Sequence, residues 1–597
     1  MTPAAPLFLL AALALTACGD PAEAARPSTW SEPVPPACPP GEWDAGEGCG
    51  PAATVFSPTG ATLFVDRASP AASDRGPGTE ARPFRTISRA AEAVRPGDAV
   101  VIRAGVYRES IRPRIGGSSS RSRVTFAAYP GETVVVSGAD VADSGWTRTA
   151  GGDWRLPWAY GPLRTYSDDP AFRREMLVVG GRVQRPVAGR AELAPGRFLR
   201  EGSDNAPTAL VARLPLARSG DGGIEVGVRT RLFWPSGPDD SADCGDPSTP
   251  GWFRVVGLTF RYATNRAQWG AVCAGSVGGL FEDVTVEWTN GRGIDVSGRE
   301  HTFRRTRADL NGQIGWGGAC ASCLFDETAA VGNNWKGHDP YWEAGGGKWH
   351  HTTDTVFRRH YSAHNDGPGI WLDGDNTSNT IEGALSVSDQ VAGIMLELRT
   401  TGTLVQHSVV ARTRWRAWSG SGVLSQAASR NVFSHNTFTE NGGTGLWLRR
   451  DPDRRASDGD NLVANNWIVD NAASGEEARE VQVEADTPAM IRSTRFVSNV
   501  YGRLGDGLYR STFFARPVPA LAADFRSEDV LEWARITGAE QDRLVGRARL
   551  VATRIDGAGA GARAAGLVPS DRVGADPARV RARGDWNQAP PRPAWPR

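Results

Sequence analysis

Two carboxylates occupy the same slot of a repeated phrase. Gly369-Ile370-Trp371-Leu372-Asp373 is followed 24 residues later by Gly393-Ile394-Met395-Leu396-Glu397. Side chains alternate between the faces of a strand, so Ile370, Leu372, Ile394 and Leu396 are expected inward, with Trp371, Asp373, Met395 and Glu397 outward. On adjacent coils of a parallel stack, the two carboxyl groups would emerge about 4.8 Å apart. Cleavage of a glycosidic bond with retention uses two carboxyl groups about 5–5.5 Å apart. Such closeness also raises one of the two pKa values, as a general acid requires. The alternative is a solvated face where two acids stack by chance, but like charges in register cost stability.

Residues around Lys348 reinforce that face. If Trp349 aligns with inward Leu372, then Lys348 and His350 point outward beside Trp371 and Asp373. Of 67 Lys and Arg residues, only Lys336 and Lys348 are lysines. A compact ammonium is not replaceable by a guanidinium where a point charge is needed. All eight histidines lie between His301 and His435, and His338, His350, His351, His360 and His364 crowd together, with Trp335, Trp342 and Trp349 interleaved. This segment is expected to form a wall of a sugar site, although each single histidine is most simply structural.

A repeating scaffold must carry these groups. From about Phe253 onward, Gly-apolar phrases recur at Gly293, Gly315, Gly346, Gly369, Gly393 and Gly445. The spacing of 22 to 24 residues fits one three-stranded coil of a parallel β-helix. The asparagines of "HND", "TEN" and "VDN" are expected at left-handed bends between strands. Earlier, strands are expected at 63–65, 100–102 and 124–128. Between the first two, a helix with Ile87, Ala90, Ala91 and Val94 on one face is stopped by Pro96-Gly97-Asp98. That helix would cover the open end of the stack. Residues 146–228 break the period and alternate like an inserted antiparallel β-domain. The expected organisation is a β-helix start at 55–145, the insertion at 146–228, the main β-helix at 229–500 and an irregular cover at 501–597.

The amino terminus has an apolar run, Leu7–Leu15, too short to span a bilayer and consistent with an export signal. Leu15-Thr16-Ala17-Cys18 resembles a bacterial lipobox, which makes Cys18 a lipidation site and residues 19–54 a tether. Cys38 and Cys49 bracket a Pro/Gly loop and are expected to form a disulfide. Cys244, Cys273, Cys320 and Cys323 are read as structural or disulfide-bonded, without an assigned pairing. Basic and acidic residues balance at 67 each, which argues against nucleic acid as a partner. The 71 glycines suit an all-β chain rich in turns, and the 21 tryptophans suit both core packing and a carbohydrate surface.

"GTEARPFRTISRAAEAVRPGDAVVIRAGVYRE", "IGGSSSRSRVTFAAYPGE", "WEAGGGKW", "HNDGPGIWLD" and "GIMLE" together resemble the right-handed parallel β-helix, pectin-lyase-like superfamily. More narrowly, they are similar to its glycoside hydrolase branch typified by β-helix β-xylosidases, which carry an inserted β-sandwich near the start of the helix. The resemblance spans roughly residues 62–500. It implies Asp373 as nucleophile and Glu397 as acid/base, with Glu343 and Lys348 flanking them. His350, His364, Asp366 and Trp371 complete the expected substrate-binding set. "LRTTG" after Glu397 departs from the family pattern, which bears on specificity.

Three functions compete. The first is a surface-anchored, monomeric retaining glycosidase with no cofactor. The second is a polysaccharide lyase, with Lys348 abstracting the proton next to a uronate and calcium held by Asp366, Asp373 and Asp375. The third is a non-catalytic glycan binder that uses Trp371 and Trp447. Fold alone does not separate them.

Overall fold

The computed structural model describes residues 58–502, with breaks at 164, 166, 168, 204–205, 215–222, 236–243, 417–418, 452–458, 470, 472–479, 486–492 and 498, together with the strands Phe513–Pro517 and Phe525–Ser527. The expected lipidation site Cys18 and the expected Cys38–Cys49 disulfide lie outside the described residues. So does most of the expected cover at 501–597.

Three long sheets run the length of the chain, holding 13, 12 and 11 strands among the described residues. Each coil contributes one strand to each sheet, and neighbouring coils pair in parallel. This is the parallel β-helix expected from the period, with the right-handed coil that the resemblance implies. Apolar columns fill its interior. Phe281, Phe303, Phe325 and Phe357 stack on successive coils of the first sheet, with ring centroids 5.3, 5.0 and 4.7 Å apart. Trp316 and Trp349 project into the same core from the third sheet and are fully buried. Inside a solenoid such columns are the main source of cohesion, at about 1.5–3 kcal/mol per large side chain.

The amino-terminal helix, α1 (Ile87–Ala93), sits where the sequence places it. Thr86 Oγ1 accepts a hydrogen bond from Arg89 N and caps it. Ile87, Ala90, Ala91 and Val94 join Val65, Val100 and Ile102 in the core, so the helix closes the first coil.

The insertion leaves the β-helix after Val134–Ser137, and the chain rejoins it at Phe233, which bridges Ile111 and Val272, before Phe253–Val256 pairs with Val124–Ala128. It forms two small sheets. One holds Ala139–Val141, Leu177–Val179, Arg182–Val183 and Ile224–Gly227. The other holds Thr147–Arg148, Trp154–Pro157, Arg185–Val187, Arg197–Ser203 and Ala206–Ala212. Pairing is antiparallel except between Arg185–Val187 and Arg197–Ser203. Leu177, Val226, Leu156, Phe198 and Leu210 pack between the sheets. Met176 and Val178 pack on Tyr262 and Trp335 of the β-helix. Lys336 adds a polar tie: its Nζ donates to the Arg173 carbonyl and, at 2.7 Å, to Asn290 Oδ1.

The asparagines behave differently from expectation. In "HND" and "TEN" the left-handed residue is the one before the asparagine, His364 (φ 55°) or Glu440 (φ 53°). Asn365 and Asn441 are fully buried and form ladders from coil to coil. Asn333 Nδ2 reaches Asn365 Oδ1 at 2.8 Å, and Asn365 Nδ2 reaches Asp389 Oδ1 at 2.8 Å. The side-chain amide satisfies backbone groups that the bend leaves without strand partners. The period also stretches. First-sheet neighbours are 22 residues apart early on, 32 across the segment holding α2 (Pro340–Glu343), then 24, 28, 30 and 33.

The cysteines left unassigned by sequence are paired as Cys244–Cys273 and Cys320–Cys323.

Candidate active site

The repeated phrases lie in register on the third sheet: Ile370 opposite Ile394, Trp371 opposite Met395, Leu372 opposite Leu396 and Asp373 opposite Glu397. Trp349 is opposite Leu372, and Lys348 opposite Trp371. Ile370, Leu372, Ile394 and Leu396 are fully buried in the core. Each phrase opens on glycine because its backbone passes close to its neighbours. A Cβ at Gly369 would lie 2.5 Å from Asp389 Oδ2, and one at Gly393 would lie 2.2 Å from Val410 Cγ1.

Each carboxylate of the pair has its own partners. Lys348 Nζ forms an ion pair with Asp373 Oδ2 at 2.9 Å and also donates to the Trp342 carbonyl at 2.8 Å. Asp373 Oδ1 is buried and has no hydrogen-bond partner among the described residues. Glu397 Oε2 accepts from Trp371 Nε1 at 3.0 Å, and its Oε1 accepts from Gln426 Nε2 at 3.0 Å. Gln426 in turn accepts from Arg449 Nη1 at 2.6 Å.

A second acidic group flanks Lys348. Glu343, the last residue of α2, accepts from Arg292 Nη2 at 2.5 Å and from Gln268 Nε2 at 2.8 Å. Burial pushes the Glu343 carboxyl up, but Arg292, Lys348 and Gln268 outweigh it and hold it below the usual range. Arg292 also binds Asp295 at 3.0 Å. A line of alternating charge thus runs along the outer face, from Asp295 and Arg292 through Glu343 and Lys348 to Asp373.

The expected substrate-binding residues divide. Lys348 and Glu343 stand beside the pair as described. His350 is exposed, with its Nδ1 3.1 Å from that of His351. Trp371 does not offer an open ring for a sugar to stack on. It is 2% exposed, packed with Met395, Leu424, Tyr341 and Trp447, and covered by the Lys348 ammonium 4.0 Å from its ring centroid. Its edge N–H is what reaches the site. α2 lies over this apolar column and is fastened on its far side by Tyr341 Oη, which donates to the Arg416 carbonyl. His364 and Asp366 belong to the bend before Gly369–Asp373. Asn334 Nδ2 bridges the Asp366 and His338 carbonyls, which ties that bend to the segment around His338.

The histidine-rich wall is therefore split. His338 and His360 are buried, at 2% and 0% exposure. Burial, helped by the adjacent Lys336 charge, lowers His338 to about 3. Lys336 is itself pushed down to about 7 by burial. A cleft of about 490 Å³ opens beside these residues, between the Lys336–Asp339 segment and the insertion, and neither Asp373 nor Glu397 lines it.

Gln426, Arg449, Arg292, Asp295 and Gln268 were missed in the sequence. The first two carried a signal. Gly422-Val423-Leu424-Ser425-Gln426 and Gly445-Leu446-Trp447-Leu448-Arg449 repeat the phrase and place Gln426 and Arg449 in the carboxylate column.

The calcium set proposed for a lyase does not assemble. Asp373 is paired with Lys348, and Asp375 is held by Arg399 at 2.6 Å through both oxygens. Among the described residues, no group of three or more His, Cys, Asp or Glu side chains is placed to hold a metal ion.

Comparisons with known proteins return partial matches. A family described as periplasmic copper-binding protein (NosD) matches residues 344–503. Among the described residues, the four cysteines are in disulfides and no group of three His, Cys, Asp or Glu side chains converges to hold a copper ion. The uncharacterized protein YwoF of Bacillus subtilis (strain 168) is 40% identical over 86 residues, 14% of this chain and only 18% of that protein. The structure of XylC with xylose superposes with a TM-score of 0.57 at 16% identity, over 74% of this chain and 86% of that one. A mannuronan C-5 epimerase module, AlgE6 of Azotobacter vinelandii, aligns with a TM-score of 0.40 at 14% identity, over 73% of this chain and 93% of that one. At these identities the likeness is one of fold: the chain is a right-handed parallel β-helix with small antiparallel sheets added.

Proposed function

We propose that the protein is a retaining glycoside hydrolase acting on polysaccharide or oligosaccharide fragments. The observation that carries this reading is the in-register Asp373–Glu397 pair, with Lys348 on one acid and Trp371 and Gln426 on the other. Asp373 would attack the anomeric carbon and form a glycosyl ester while Glu397 passes a proton to the departing oxygen. Water, deprotonated by Glu397, would then cleave the ester and restore both acids. Lys348 orients Asp373 and stabilises its charge. Trp371 and Gln426 fix the plane of the Glu397 carboxyl. Each Glu397 oxygen accepts one of these N–H groups and has a second lone pair, so the acid can carry the proton with both donors in place. Arg449 holds the Gln426 oxygen, so that amide stays as it is, and the proton would sit on the second lone pair of a Glu397 oxygen.

The xylose held by the structurally similar XylC makes aryl xylosides the first substrates to test. Incubation with a panel of aryl glycosides and uronate polymers should release the aryl group without unsaturated uronide absorbance. Absorbance from a uronate polymer with no aryl release would select the lyase instead. Lys348, engaged with Asp373 and the Trp342 carbonyl, is arranged as a donor rather than as the proton acceptor a lyase needs.

The proposed location is outside the cytoplasm, anchored through Cys18. The two disulfides support an oxidising compartment. Cys18→Ala should move the protein from the membrane fraction to the soluble fraction, and continued membrane association would refute the anchor.

A further inference from the structure

The cleft between the insertion and the β-helix is separate from the carboxylate pair, and its chemistry is specific. Arg185 and Arg197 of the insertion line it, facing Lys336, Gly337 and His338 of the β-helix. The Arg185 guanidinium makes no hydrogen bond or ion pair among the described residues. Arg197 makes one bond, from Nη1 to the Glu192 carbonyl at 3.3 Å. Lys336 is already committed to the Arg173 carbonyl and Asn290. His338 is 2% exposed, yet its Nδ1 has no partner. A buried imidazole nitrogen without a partner is costly unless something else supplies one.

The acids of the cleft are arranged differently. Asp169 Oδ1 accepts from Ala171 N at 2.8 Å, Glu192 Oε1 from Gly189 N at 3.2 Å, and Asp339 Oδ1 from Tyr341 N at 3.0 Å. Each acid is held by one oxygen and keeps the other for a hydroxyl donor. A guanidinium fork recognises a planar carboxylate in bidentate fashion, and Arg185 and Arg197 stand opposite each other on paired strands. Three carboxylates nearby would repel a multiply charged anion such as phosphate, while they suit a ligand rich in hydroxyls. Phe172 and Pro186 supply flat apolar walls for a sugar ring.

The geometry points to this cleft as a binding site for a hexuronate unit, its carboxylate on Arg185 and Arg197 and its hydroxyls on the rim acids. This site stands independently of the reaction assigned to Asp373 and Glu397. It nevertheless adjoins that site: Phe172 packs on Trp342, with ring centroids 5.3 Å apart, and the Trp342 carbonyl holds Lys348. Phe172, Trp342 and Lys348 thus link the cleft to Asp373.

Calorimetric titration of the full chain with glucuronate, galacturonate, glucose and inorganic phosphate tests the site. At least one uronate should bind, with glucose and phosphate at least tenfold weaker. Arg185→Ala should weaken uronate binding by tenfold or more at unchanged melting temperature, because that guanidinium bonds to nothing else among the described residues. Asp373→Asn should bind the uronate as the wild type does. Failure of both uronates to bind, equal binding of phosphate, indifference to Arg185→Ala, or loss in Asp373→Asn would each overturn the proposal.

Discussion

Lys348 Nζ stands 2.9 Å from Asp373 Oδ2 and 4.0 Å from the centre of the Trp371 ring, so one ammonium is shared between an acid and the indole that holds the other acid. Lys348→Met should therefore disturb both halves of the pair. We expect kcat/KM on an aryl glycoside to fall by about 10²–10³-fold, the range for removing one preorganised charge donor. Lys348→Arg should not restore it, since the planar fork cannot occupy the point between carboxylate and ring. Kinetics on folded variants check this, and near wild-type turnover in Lys348→Met would remove Lys348 from the site.

The two acids should separate by leaving group. Asp373→Asn is expected to abolish turnover on every substrate. Glu397→Ala should retain activity on dinitrophenyl glycosides, which need no proton for departure, and lose it on unactivated disaccharides. Equal losses on both substrate types would sink the assignment of roles, and full activity in both variants would sink the site.

Asp389 should make stability depend on pH. Burial raises its carboxyl to about 6, against hydrogen bonds from Ser386 and Asn365 that favour the charged form. Folding therefore gains from the neutral acid at low pH, and that gain is lost as pH rises through about 6. Asp389→Asn keeps a neutral group at the end of the asparagine ladder. Its melting temperature should exceed that of the wild type above pH 6, with the gap closing near pH 4. A pH-independent difference measured by calorimetry would contradict this origin.

Gly347 should tolerate no side chain. A Cβ there would lie 2.3 Å from Trp349 Cη2, inside the packed core. Gly347→Ala should cost about 1–3 kcal/mol by overpacking. Because Lys348 sits between these two residues, activity should fall as well. Denaturant unfolding measures the first effect, and an unchanged midpoint would show that the indole can move aside.

The coil architecture was legible because it repeats. Alternation around Ile370 and Leu372 fixed which residues face inward, and the Gly369 and Gly393 phrases fixed the register. The inserted sheets were legible from the break in that pattern, although Ala139–Val141 joins them earlier than expected. What covers the outer face was not legible. Trp371 alternates outward as expected, but α2 and Lys348 bury it, and no local pattern predicts a layer supplied by a segment of a different coil. The histidine cluster failed for a similar reason. Crowding in sequence became dispersal in space, because successive bends send His338, His350 and His364 to different turns of the coil.

The pair's arrangement also bears on how such a site can originate. Asp373 and Glu397 are the same position of two consecutive coils, 24 residues apart, and the ladder from Asn365 to Asp389 joins the same two coils. A single in-frame duplication of one coil would place two carboxylates side by side without reshaping anything else, since each coil meets only its neighbours. One later change, lengthening an aspartate by a methylene, would then break the symmetry and let twin groups diverge into different chemical tasks. In a solenoid, a two-residue active centre is within reach of an ordinary copying error.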